Sequence, residues 1–365
     1  MLRCPRCGYR GVEKICPKCG FPLIPEPPGR LEVDRSEPTL WRYSSALGVG
    51  KGISLGEGLT PLKKVEGIMV KDESRNPTGS IMDRGSAVLA SAYKGGRASL
   101  EFQEDFTLSI ATYLSARGVE VDVHMDPAAA TYADFILLAS LPHVNIHFGG
   151  GATPDIAYGD PYFLAGVKTL AYELYEDLGD LEAVAVPLEK GILALAIYQG
   201  FRELEEWGLM SMPQLLLAVH KGASLSEVAI WLASRGAKIV EVEDSEAVEA
   251  AVRLAKRGLY AKPLSAMAYV AASSEKDAVA VVTGTGLRRP YFNRRRLGGL
   301  QAQILELLKS KEMTAYEIWD ALGRRPTLRG VYKALDSLRA KGLISYDLKA
   351  VGRRRSKVYR RNTQR

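Results

Sequence analysis

The chain has 365 residues, 49 of them Lys or Arg and 42 Asp or Glu, for a formal net charge of +7. Roughly 100–200 residues make a domain, so two or three domains are expected. A composition of 47% hydrophobic and 25% charged residues excludes wholesale disorder and collagen-like structure. The best apolar run, around residues 191–198, falls far short of the roughly 18 residues that span a bilayer. The opening Met1-Leu2-Arg3-Cys4 leads into no apolar signal core. A cytoplasmic protein with no membrane partner is therefore expected.

The first sixteen residues of the motif region hold all four cysteines, as Cys4-x-x-Cys7-Gly8 and Cys16-x-x-Cys19-Gly20. Each places two thiolates on a tight turn whose glycine permits a left-handed backbone. Two such turns make the tetrahedral four-thiolate set that structural Zn²⁺ prefers. Disulfides suit an oxidising compartment, and a redox dithiol needs one such motif rather than two in tandem. Residues 1–22 are read as a zinc ribbon that needs its metal to fold. Prolines 22, 25, 27 and 28 then stiffen a linker over residues 23–30.

From there to residue 287 the pattern alternates strand and helix. Strands are predicted at 67–71, 119–124, 145–148, 183–187, 215–219, 238–242 and 278–283. Helices are predicted at 83–93, 108–117, 163–178, 191–206, 226–235, 245–257 and 264–272. Such alternation predicts an α/β body with open, mostly parallel sheets covered on both faces. Ligands in such sheets bind at the carboxyl ends of the strands.

Charge is unevenly spread. Residues 288–365 carry 21 Lys/Arg against 6 Asp/Glu, a net of +15, so residues 1–287 carry −8. That asymmetry points to a polyanion partner. Gln and Asn are scarce, at six and four, which suits a thermophile. After a basic linker at 288–299 comes a compact pattern in residues 300–365. A helix at 300–308 is followed by the Thr314–Glu317 capping box of a second helix. Thr327 caps a third, with Val331, Leu335 and Leu338 on one face. A hairpin at 343–349 and 356–361 ends the pattern, with an arginine-rich tip. This order resembles the winged helix-turn-helix superfamily, most of all in residues 330–344. The resemblance implies double-stranded DNA as partner. Arg329, Tyr332 and Lys333 would face the major groove. Arg353, Arg354, Arg355 and Lys357 would meet phosphate or the minor groove.

The body carries a second resemblance. Residues 53–62 (Ile-Ser-Leu-Gly-Glu-Gly-Leu-Thr-Pro-Leu) and 70–85 (Val-Lys-Asp-Glu-Ser-Arg-Asn-Pro-Thr-Gly-Ser-Ile-Met-Asp-Arg-Gly) closely resemble threonine synthase. That family consists of fold-type II pyridoxal-phosphate (PLP) enzymes. Residues 41–43, 166–173, 262–266 and 283–287 extend the likeness over about residues 1–290. It implies a two-lobed, tryptophan-synthase-β-like body with the site between the lobes.

The departures lie at the chemistry. The family's Ser-Phe-Lys-Asp-Arg-Gly lysine, which forms the imine with PLP, is Met82 here, and a thioether makes no imine. The loop that holds the substrate carboxylate becomes Phe102-Gln103-Glu104-Asp105. The phosphate cradle begins Glu189-Lys190-Gly191. Acid side chains where anions should bind oppose binding. Lys71 or Lys190 could in principle supply an amine, and Lys190 could instead neutralise Glu189. Thr283 completes this altered site.

The sequence thus leads to a DNA-binding transcriptional regulator on a threonine-synthase-like body. The body is expected not to be an enzyme. Zn²⁺ is structural, PLP is not expected, and a homodimer and a small-molecule effector are. Two alternatives stand beside it. One is an active PLP-dependent threonine-synthase-like lyase with a regulatory DNA-binding tail. The other is a structural partner of an active paralogue.

Overall fold

The computed structural model describes residues 1–149, 153–287, 299–340, 343–351 and 354–362. The chain forms two compact units, Met1–Tyr291 and Phe292–Arg365. Most of the basic linker, Arg353 at the hairpin tip and the helix stop at Lys341 lie outside the described residues.

The first unit opens with three two-residue strands, β1 (Leu2–Arg3), β2 (Arg10–Gly11) and β3 (Ile24–Pro25), paired antiparallel in the order β2-β1-β3. Gly8 and Gly20 take φ of 74° and 70°, the left-handed turns that let each Cys-x-x-Cys loop close. Phe21 and Leu23 are buried in the same core as the body, and Phe21 meets the Trp231 ring edge-on at 5.1 Å.

The body contains two sheets. Strands β4 (Leu62–Val65) and β5 (Ile68–Asp72) form a hairpin at the edge of the larger. After α1 (Met82–Ala92) the chain builds the smaller sheet from β6 (Arg97–Glu101), β7 (Glu120–Met125) and β8 (Val144–Phe148). All three are parallel, with α2 (Glu104–Ala116) and α3 (Tyr132–Ala139) as crossovers. Helices α4 (Pro161–Val167) and α5 (Thr169–Leu178) return to β9 (Ala183–Pro187). The chain continues through α6 (Ile192–Glu206), β10 (Gln214–His220), α7 (Glu227–Ser234), β11 (Lys238–Val242), α8 (Asp244–Lys256), α9 (Pro263–Ala272) and β12 (Ala278–Val282). The larger sheet runs β11-β10-β9-β12-β5-β4, parallel except for β4. Every residue of β9 and β12 is buried, as expected of central parallel strands covered by helices on both faces.

The single helix predicted over 163–178 is two, broken at Lys168. Helices α1 and α4 cross closely there. A Cβ on Gly166 would stand 2.1 Å from the Arg84 carbonyl oxygen.

The second unit packs three helices against a small antiparallel sheet. The helices are α10 (Gly299–Ser310), α11 (Ala315–Ala321) and α12 (Leu328–Ala340). The strands are β13 (Met313–Thr314), β14 (Ile344–Val351) and β15 (Arg354–Arg361), in the order β13-β15-β14. Thr314 and Glu317 form the reciprocal capping box, and the Gly330 amide donates to Thr327 Oγ1 at 3.1 Å. Ile304, Ile318, Val331, Leu335 and Leu338 are wholly buried in this unit's own core.

Candidate functional site

A cleft of about 320 Å³ opens where helix starts and strand ends of the body converge. Met82 begins α1, Glu104 and Asp105 form the first turn of α2, and Glu189 and Lys190 lie in the turn between β9 and α6. Thr283 follows β12. All six line this one cleft, at the carboxyl ends of parallel strands. Ser265 joins them, its Oγ 2.9 Å from Thr283 Oγ1. Phe106 and Tyr158 give one wall an aromatic face, and the buried Phe163 packs behind them, the three rings meeting edge-to-face with centroids 5.2–5.6 Å apart.

The residue that sequence reasoning missed is Lys262. It caps the start of α9, and its Nζ donates to Asp105 at 2.7 Å and to Glu104 at 3.0 Å. Burial works against its charge, but the Asp105 and Glu104 carboxylates outweigh burial and hold its pKa above the usual lysine value. The pairing spans 157 positions of sequence, and no local signal announces it. Burial, with Glu189 and Asp105 adding to it, also raises the Tyr158 pKa. Glu104 and Asp105 sit where a helix N-terminus favours negative charge, so α2 carries its own anions there.

Two expectations about lysines are corrected. Lys71 does not reach the cleft. It is wholly buried, with Nζ 2.7 Å from both Glu173 and Asp177 and 2.9 Å from the Thr60 carbonyl. Nor does Lys190 neutralise Glu189, since no ion pair joins them among the described residues. The Lys190 carbonyl accepts from Ser226 Oγ at 3.1 Å, while its exposed ammonium lines the cleft.

Behind Met82, Asp83 is wholly buried. It accepts from the Thr78 amide and Oγ1 and from Ser109 Oγ, each at 2.6 Å. Burial pushes its pKa up to about 7 against the pull of those hydrogen bonds, with the Glu57 charge adding.

The four cysteine sulfurs lie within 4.8 Å of one another. Cys4–Cys19 and Cys7–Cys16 are both 3.5 Å apart, and Cys7–Cys19 3.7 Å. Four Zn–S bonds of about 2.3 Å at tetrahedral angles give edges of about 3.8 Å. The cluster therefore has the donor chemistry and the dimensions to hold a metal such as zinc.

In the second unit Arg329, Tyr332 and Lys333 are exposed on α12. Arg329 and Lys333 make no ion pair among the described residues. Lys357 lies over the Tyr346 ring at 4.6 Å. Arg354 and Arg355 pair by backbone register with Val351 and Ala350.

Comparison with known proteins bears on the body. Residues 149–284 match the model of the pyridoxal-phosphate dependent enzyme family. The chain is 26% identical to threonine synthase of Methanosarcina acetivorans, covering 73% of this chain and 75% of that one. It is 27% identical to threonine synthase of Halalkalibacterium halodurans, over 65% and 85%. Among solved structures, serine racemase from Dictyostelium discoideum superposes with a TM-score of 0.55 at 13% identity, over 63% of this chain and 93% of that one. Threonine deaminase isoform 2 from Solanum lycopersicum superposes at 0.53 and 14%, over 62% and 79%. The body has the α/β fold of fold-type II PLP-dependent enzymes. Within that class it is threonine-synthase-like. The expectation that the chain is not an enzyme is corrected here: the family model and the threonine synthase relatives point to a PLP-dependent enzyme. Among the described residues no helix is long and apolar enough to cross a membrane.

Whether the cleft suits PLP is a separate question. The hydroxyls of Ser265 and Thr283 and the glycine-started α6 are polar groups such a ligand uses. Gly191 takes φ of 85° with no side-chain cap, leaving the first amides of α6 along the cleft. The amine set does not fit the family's covalent attachment. Residue 82 carries a thioether, and the Lys262 ammonium is held charged between two carboxylates, whereas imine formation needs a neutral amine.

Proposed function

We propose that the chain couples a threonine-synthase-like body to a DNA-binding winged helix, so that a small molecule in the cleft governs DNA binding by the second unit. The observation that carries this reading is the basic second unit itself. Its capped helix α12 presents Arg329, Tyr332 and Lys333 to solvent beside a long antiparallel hairpin, in a tail of net charge +15. Helix α12 would enter the major groove while Arg353, Arg354, Arg355 and Lys357 meet the backbone. A homodimer would present two such units to an inverted repeat.

Selection of bound sequences from a random duplex pool, followed by a salt titration, tests it. With about six phosphate contacts per dimer, the log–log slope of affinity against salt is about −5. Alanine at residues 353–355 flattens the slope for all sequences alike. Alanine at Arg329 or Lys333 erodes discrimination by roughly 1–3 kcal/mol per lost base contact. Failure to enrich a motif, with binding unchanged in those last two variants, overturns the reading.

The four-cysteine cluster is proposed as a structural zinc site. One Zn²⁺ per chain is expected by elemental analysis. Cys4→Ser should release the metal and change Trp231 fluorescence through its contact with Phe21. Metal-free protein with unchanged emission would refute it.

A second reading is favoured by the relatives: the body is an enzyme of their PLP-dependent class whose cleft amine comes from elsewhere than residue 82. Of the two cleft lysines, Lys190 has no ion pair among the described residues. Added PLP would then give a saturable visible band that Lys190→Met abolishes and Lys262→Met leaves. No band in the wild-type protein refutes this reading and leaves the DNA-binding one standing.

A further inference from the structure

A larger cavity than the cleft, about 580 Å³, lies on the seam between the cysteine ribbon and the body. Five arginines line it: Arg3, Arg6 and Arg10 from the ribbon, Arg202 from α6, and Arg235 just after α7. They converge although residues 1–287 are net acidic. Three carboxylates share the lining, and all three are engaged. Glu26 holds Arg10 at 2.8 Å, Glu206 holds Arg202 at 2.8 Å, and the buried Glu203 accepts from Lys168 Nζ at 2.8 Å and from Tyr172. Among the described residues Arg6 meets one carboxylate, the exposed Glu227 at 3.6 Å, and lies over the Phe21 ring at 5.7 Å. Arg235 stacks on Trp231 at 5.5 Å, and neither it nor Arg3 has a carboxylate partner among the described residues. The wall is thus rich in donors, with each of its three carboxylates already paired.

We infer that this seam is a binding site for a small phosphorylated anion. Guanidinium forks match phosphate oxygens two at a time, which an ammonium does not, and the stacked Arg235 holds its fork with less side-chain freedom to lose. The cavity has room for a ligand the size of a pyrophosphate ester and is separate from the charged cleft beneath Lys262. Because the ribbon supplies three of the five arginines, the ligand would bridge ribbon and body.

The rival account is that the arginines offset the charge of four thiolates around a metal, since Cys4 lines the same cavity. A calorimetric titration of the full, zinc-loaded chain with inorganic pyrophosphate decides between them. Saturable one-to-one binding is expected, weakened about tenfold or more in an Arg3→Ala/Arg235→Ala double variant with zinc content unchanged. The Arg3→Lys/Arg235→Lys variant keeps the charge and loses the forks, and should fall between the two. The proposal is overturned if no saturable heat appears. It is equally overturned if sodium chloride at matched ionic strength removes the binding in full, or if the alanine variant loses zinc instead of pyrophosphate. A duplex DNA arm separates the sources of phosphate: loss of DNA binding in the double variant, with pyrophosphate binding intact, would make this a DNA backbone contact and overturn the small-ligand reading.

Discussion

Two of the ionic clusters in the body have similar make-up and opposite setting. In the first, Arg84 sits at the centre with no exposure. Its Nε and Nη2 bind Glu73 at 2.7 and 2.8 Å, and its Nη1 binds Glu173 at 2.8 Å. Lys71 joins Glu173 at 2.7 Å, and the amides of Leu59 and Thr60 complete that carboxylate at 2.9 and 2.8 Å. In the second, Lys262 clasps Glu104 and Asp105 in the cleft, where the Glu104 side chain is 58% exposed. The buried cluster draws its side chains from residues 70–85 and from Glu173 and lies wholly inside the scaffold. The cleft cluster joins the start of α9 to the first turn of α2 and faces solvent. The same kinds of charge thus hold the scaffold in one place and line a ligand-sized opening in the other.

The sharpest way to break this contrast is Glu173→Gln. It leaves Arg84 and Lys71 buried with one carboxylate fewer, and removing one partner of a buried ion pair costs about 3–5 kcal/mol. The Glu173 carboxyl titrates low, at about 2, because the nearby Arg84 and Lys71 charges overcome its burial. Its stabilisation is therefore present above the ordinary glutamate range and is lost as pH falls through about 2. Denaturant unfolding at neutral pH should show the full loss in the variant, and the wild-type advantage should shrink on acidification. A cost under about 1 kcal/mol would mean that the buried cluster holds nothing together.

Asp83, next to Arg84 in sequence, tests a different feature: a buried carboxyl with hydrogen-bond donors and, among the described residues, no cation paired to it. Its raised pKa, about 7, means that the folded state keeps a proton the unfolded chain gives up. Its contribution therefore favours folding at lower pH and declines as pH rises from about 4 to about 7. Asp83→Asn removes that decline. Melting temperatures at pH 5.5 and 8 should differ less in the variant than in the wild type. An unchanged difference would show that the carboxyl is ionised across the range.

How much of this was legible beforehand follows from the range of the interactions. Strand β9 occupies the residues predicted for it, and β12 starts where predicted, because a central parallel strand is a continuous apolar run that needs no partner to be recognised; β11, at the sheet edge, matches its predicted bounds through a short β-branched run between charged residues. Strand β4 was not foreseen: Lys63 and Lys64 sit on a two-residue hairpin at the sheet edge, where polar residues are tolerated. Strand β6 and helix α3 were also missed, the helix having apolar residues around most of its circumference and little periodicity to read. That Met82, Glu104, Asp105, Glu189, Lys190 and Thr283 share one cleft was legible because motifs along the sequence place them at helix starts and strand ends. Lys262 was passed over because its importance lies in a contact across the fold. The placement of Lys71 was misjudged for the same reason, since only the arrival of α5 supplies Glu173 and Asp177.

The smallest expected effect gives the finest test of the contrast. Lys262→Ala removes the cation from a partly solvated clasp and leaves Glu104 and Asp105 side by side at the start of α2. Solvent screens both the lost attraction and the new repulsion, so the cost should be no more than about 1 kcal/mol at low salt. At 1 M salt the Debye length is about 3 Å, and the difference from wild type should nearly vanish. The cost of Glu173→Gln should persist there, because salt does not enter a fully buried cluster. Paired urea titrations of both variants at low and high salt measure this directly. A cost for Lys262→Ala above about 2 kcal/mol that survives 1 M salt would place the clasp in the same class as the buried cluster. The cleft would then be as much a part of the scaffold as the network around Arg84.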